Sequence, residues 1–81
     1  MIERLLSMPA DYSFDEARAL LLRLGFEQSN KGKTSGSAVS FYRNADQAVI
    51  MFHKPHSPDI LKRYVMKDII RTLKEKGDIH E

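Results

Sequence analysis

The sequence predicts an α+β fold in the order helix, three-stranded antiparallel sheet, helix, and three observations predict it. Apolar residues recur at helical spacing towards both ends of the chain, at Phe14, Ala17, Leu20, Leu21 and Leu24 and again at Leu61, Val65, Met66, Ile69, Ile70 and Leu73. Between these stripes lie short apolar or alternating segments separated by turns rich in Gly, Ser, Asn and Asp, as a meander of strands requires. The third observation is size: 81 residues, 42% of them hydrophobic, close a single core, so residues 1–81 are expected to form one domain.

Ile2, Leu5 and Leu6 can form one short apolar turn, which Pro9 ends. Ser13-Phe14-Asp15-Glu16 has the capping-box pattern and opens a helix that runs to about Leu24. Gly25 suits the left-handed position after a helix, and Phe26 can fold back on the last turn. Residues 26–30 read as a first strand of weaker pattern, followed by the small and basic turn Lys31-Gly32-Lys33-Thr34-Ser35-Gly36. In Ser37 to Arg43 the odd positions include Val39 and Phe41 while Ala38, Ser40 and Tyr42 alternate with them, which leaves the second face to water or ligand. Asn44-Ala45-Asp46-Gln47 reads as a hairpin turn, and Ala48-Val49-Ile50-Met51-Phe52 as a strand covered on at least one face and shielded on the other. Its uniform apolarity gives no orientation. His53-Lys54-Pro55-His56-Ser57-Pro58 is expected to be a loop, Asp59 to cap the last helix, and Gly77 to end it. Both helices on one face of the sheet would bury the two stripes and leave the other face open.

Composition removes several function classes. The chain has no cysteine, which excludes disulfides and thiolate metal sites. Its first residues carry Glu3 and Asp11 and never reach a long apolar run, so neither a signal peptide nor a membrane span is expected, and the expected location is the cytoplasm. Net charge is only +2, but residues 1–30 hold three basic against five acidic residues and residues 31–81 hold ten against six. That asymmetry suits an anionic partner, of which nucleic acid is the commonest soluble one.

Arg63, Lys67, Arg71 and Lys74 fall at i, i+4, i+8 and i+11 and form a cationic ridge that could track phosphates; a solvated helix face gives the same pattern. The loop from Lys31 to Gly36 offers lysines, hydroxyls and glycines suited to an anion, and equally the composition of a plain surface turn. Gly32-Lys33-Thr34 does not make a nucleotide-binding loop, since the glycine required five residues earlier is Glu27. His53 and His56 are the only close pair of histidines, and imidazole moves protons near neutral pH, as RNA cleavage through the 2′-hydroxyl requires; a surface histidine can also be inert. Only Asp59 lies near them in sequence, too little for a metal site, and neither a metal nor another cofactor is implied.

In order and spacing these pieces resemble the HicA family of toxin–antitoxin systems: a helix ending in Leu24-Gly25-Phe26, then Lys31 to Ser37, an apolar strand, His53-Lys54-Pro55-His56, and a helix opened by Leu61-Lys62. The resemblance spans Ser13 to Leu73. It implies a double-stranded-RNA-binding-domain-like fold, metal-independent cleavage of mRNA, and neutralisation by a HicB antitoxin. On that reading His56 and His53 are the candidate catalytic residues, and Lys31, Lys33, Thr34, Ser35, Ser37, Lys54, Arg63 and Lys67 the candidate RNA contacts. One position departs from the family pattern. That pattern is Gly-Ser-His with a catalytic histidine, where this chain reads Gly36-Ser37-Ala38, and alanine holds no proton. Three explanations follow: a divergent branch that works through His56 or His53, a non-catalytic RNA-binding or antitoxin-binding relative, or an inactivating substitution.

Overall fold

The structure is a computed structural model, and it describes residues 2–29, 38–55 and 58–80. The elements are α1 (Ile2–Leu6), α2 (Phe14–Arg23), β1 (Glu27–Ser29), β2 (Ala38–Arg43), β3 (Ala48–His53) and α3 (Arg63–Glu75). This is the expected helix, three-stranded antiparallel sheet and helix, the arrangement of a double-stranded-RNA-binding-domain-like fold, preceded by one short helix.

Local chemistry fixes the ends of α2. The Ser13 hydroxyl accepts from the Glu16 N–H at 3.1 Å and the Glu16 carboxylate accepts from the Ser13 N–H at 3.2 Å, completing the capping box. Arg4 of α1 donates to the same carboxylate and, at 3.1 Å, to Asp11. The Arg4 hydrogen bond holds the Glu16 carboxyl below the usual carboxylate range. Past Leu24 the chain reverses in a Schellman motif: Phe26 N–H donates to Leu21 at 2.9 Å, Gly25 N–H donates to Leu22 at 3.1 Å, and Gly25 takes φ +96°. Phe26 therefore belongs to the buried turn after α2, and β1 starts one residue later than its pattern suggests.

The strand order is β1-β2-β3, antiparallel throughout. Phe41 of β2 and Ala48, Ile50 and Phe52 of β3 are buried, facing α2 and α3. Phe14 of α2 packs between Phe41 and Phe52, with ring centroids 6.5 and 6.1 Å away. The alternate residues of β3 are not shielded, contrary to the expectation of a strand shielded on its second face: Val49 is 61% and Met51 70% exposed. Nor does β3 stop at Phe52. His53 has no proline constraint of its own, and it completes the strand opposite Ala38.

Asp59 does not cap the last helix. Its carbonyl accepts from the Phe14 N–H at 2.9 Å, Ile60 bridges to Ser13, and Leu61 N–H donates to Tyr12 at 2.8 Å, so this stretch is a strap across the start of α2. Leu61 is buried ahead of the helix, whose N-cap is Lys62 with no side-chain cap. Val65, Met66, Ile69 and Leu73 are the buried stripe of α3. A second Schellman motif ends it at Gly77, φ +88°, with Asp78 N–H donating to Leu73 at 2.8 Å, and the chain then returns Ile79 to the core. Among the described residues no helix is long and apolar enough to cross a membrane.

Candidate functional site

The β2–β3 hairpin decides which side chains share the open face of the sheet. Arg43 pairs with Ala48 at the turn, and five residues further out on each strand Ala38 pairs with His53. Opposed residues of an antiparallel pair point to the same side, with Cβ atoms about 4.5–5.5 Å apart. Because Phe41 and Ile50 point into the core, the partners Ala38–His53, Ser40–Met51 and Tyr42–Val49 point away from it. Ser29 and Glu27 of β1 join the same face opposite Ser40 and Tyr42.

Ala38, where the pattern that the sequence resembles is expected to have its histidine, thus lies opposite His53, one of the two candidate proton carriers. The His53 imidazole is exposed at the end of β3 and Ala38 is half-buried. Tyr42 Oη donates to Glu27 Oε1 at 3.1 Å, and this hydrogen bond to a carboxylate pushes the tyrosine hydroxyl up from its ordinary value. It ties β1 to β2 across the open face. Beside Ser29 and Ser40, the face carries the exposed apolar side chains of Val49 and Met51, a small platform next to His53.

Lys54 follows His53 but turns to the other side: its ammonium stands 5.0 Å from the Phe14 ring centroid, over the start of α2. Arg63 and Lys67 are exposed on α3, in the helix layer behind the sheet, and so do not share the face of His53. Lys31, Lys33, Thr34, Ser35, Ser37 and His56 lie outside the described residues. Tyr42, Met51 and Val49 were not singled out as site residues by sequence. The signal that could have found the face was the hairpin itself: once residues 44–47 are the turn, counting equal steps from Arg43 and Ala48 brings Ala38 to His53.

The family model described as HicA toxin of bacterial toxin-antitoxin matches residues 14–75, from the first residue of α2 to the last of α3. The chain belongs to the HicA toxin family. Neither a curated protein nor a solved structure matches it. As a HicA protein it is the toxin of a toxin–antitoxin system, and HicA toxins are in general paired with a HicB antitoxin. Every element of the matched region takes part in building the open face or in supporting it from behind, which leaves α1 as the addition outside the match.

Proposed function

We propose that this HicA chain is a single-domain endoribonuclease that cleaves mRNA in the cytoplasm without a metal ion, using His53 and His56 as proton carriers. The reaction is transesterification: a base takes the 2′-hydroxyl proton, the 2′-oxygen attacks the adjacent phosphorus, and the P–O5′ bond breaks. An acid returns a proton to the departing 5′-oxygen, leaving a 2′,3′-cyclic phosphate and a 5′-hydroxyl end. The cations Lys31, Lys33 and Lys54, with the hydroxyls of Thr34, Ser35 and Ser37, would hold the phosphate and its developing charge. Arg63 and Lys67 would contact flanking phosphates from the helix layer.

The observation that supports this reading is the pairing of Ala38 with His53 on the open face. A proton carrier thus stands on the neighbouring strand, opposite the position where the family pattern has its histidine. A second reading, an RNA-binding or antitoxin-binding module without catalysis, is favoured by Ala38 itself.

Cleavage of an mRNA in the presence of EDTA separates the two. His53→Ala and His56→Ala are each expected to slow cleavage by about two to four powers of ten, with RNA binding retained. Ala38→His is expected to speed it, because a second imidazole then flanks the same phosphate. If neither the parent chain nor Ala38→His cleaves while both bind RNA, the enzyme reading fails and the binding module stands.

A further inference from the structure

Among the described residues β3 is an edge strand, since its one sheet neighbour there is β2. Edges expose unpaired backbone N–H and C=O groups, and proteins defend them with short strands, charged residues, prolines or bulges. The other edge, β1, is defended in this way: it is three residues long and carries Glu27 and Gln28. β3 is six residues long, Ala-Val-Ile-Met-Phe-His, with no Lys, Arg, Asp, Glu or Pro. Along it runs a groove of about 210 Å³ lined by the four consecutive residues 49–52 and by Asp68, Arg71 and Thr72 of α3. Consecutive strand residues point to opposite faces, so a groove that touches four in a row follows the backbone edge.

The helix side of this groove has a pattern that selects its occupant. Tyr64, Asp68, Arg71 and Glu75 are exposed and recur at i, i+4, i+7 and i+11, one stripe of α3, of which Asp68 and Arg71 line the groove. The stripe carries two acids and one base, a poor match for a uniformly acidic or basic partner. Within each helix Asp68 and Arg71 already pair at 3.4 Å. Against an antiparallel copy this pair meets its inverse, Asp68 opposite Arg71 on both sides, with the Tyr64 hydroxyl opposite Glu75.

We propose that the outer edge of β3 and the Tyr64–Asp68–Arg71–Glu75 stripe form a two-fold interface between two copies of this chain. The two β3 strands pair antiparallel at the centre of a continuous six-stranded sheet, and the two α3 helices run antiparallel beside them on one side of it. Opposed residues must share a face, so the axis passes through Ile50 or Met51 rather than between them. Both open faces, each with its own His53, then lie on the same surface of the dimer.

Sedimentation equilibrium on the full chain tests this without reference to RNA cleavage. The parent chain is expected to dimerise, and Asp68→Arg and Arg71→Asp are each expected to weaken the dimer by about tenfold, because each sets like charges against one another across the axis. An equimolar mixture of the two variants restores both opposite-charge pairs and is expected to associate as tightly as the parent. Circular dichroism of each variant reports that the fold is kept. As the chain has no cysteine, the double variant Val49→Cys/Met51→Cys is expected to form an intermolecular disulfide in either register. A parent chain that stays monomeric at millimolar concentration overturns the proposal, as do single variants that dimerise like the parent, a mixture no tighter than its components, or no cross-link.

Discussion

Arg43 shows how one residue joins distant parts of this chain. Its side chain, 11% exposed, forks onto Asp46 at 3.0 and 2.7 Å and onto Asp78 at 3.1 and 2.7 Å. It also donates to the Leu24 carbonyl at 2.9 Å and stacks 4.5 Å from the Phe26 ring centroid. The hairpin turn, the end of α2 and the segment after α3 thus meet on one guanidinium, whose planar array of donors lysine lacks. Arg43→Lys is therefore expected to cost about 2 kcal/mol in a denaturant titration, since several charge-assisted bonds are lost at once. The pH dependence has a definite sign. The Arg43 hydrogen bond holds the Asp46 carboxyl below the usual carboxylate range, so the stabilisation is present above the unfolded value and lost as pH falls through the folded one. Asp46→Asn should accordingly be less stable than the parent at neutral pH. The difference should begin to shrink below about pH 4, where an unfolded carboxyl takes up its proton, and close only below the lower folded value.

At the scale of elements, the two long helices start differently. α2 has a complete capping box; α3 has Lys62 at its N-cap, in extended conformation at φ −73° and ψ 157°, with no side-chain bond to its first turn. Removing the first cap and supplying the second should act in opposite directions. Ser13→Ala is expected to destabilise the protein by about 1 kcal/mol, and Lys62→Asp to stabilise it by up to about 1 kcal/mol, since aspartate can accept a first-turn N–H and favours the positive end of the helix dipole. Thermal or denaturant unfolding reads both. The cap of α2 was legible because a capping box is local, four residues in a row. Asp59 misled because it has the right chemistry three residues too early: the strap of residues 59–61 pairs with Tyr12, Ser13 and Phe14 instead, a contact about 45 residues away in sequence that no local pattern encodes.

At the scale of the molecule, the charge of the described residues is spread around the fold rather than gathered on the open face. His53 faces one way, Lys54 turns towards α2, and Arg63 and Lys67 lie in the helix layer. Under the RNA reading, a strand that reaches all of them must follow the end of the sheet from one layer to the other. Affinity is then expected to fall with salt, each neutralised phosphate adding about 0.7 to the slope of log K against log salt for single strands. Lys54→Ala and Lys67→Ala should each lower that slope by about 0.7, and the double variant by about twice as much. A salt series of binding measurements checks this, and an unchanged slope removes the residue concerned from the RNA path.

The sequence by itself determined the order of elements, the capping box at Ser13, the two glycine-ended helices and the apolar stripes, because each depends on residues within a few positions of one another. It also carried the family resemblance over most of the chain. The orientation of β3 was beyond it: five apolar residues in a row have no period, and only packing against Phe14 and α3 decided that Ile50 and Phe52 go in while Val49 and Met51 stay out. The meeting of Ala38 with His53 is a matter of register, and that of Arg43 with Asp78, 35 residues apart, of tertiary closure. Both are long-range pairings, which the chain makes by burying its stripes against one sheet rather than by any preference of the residues themselves.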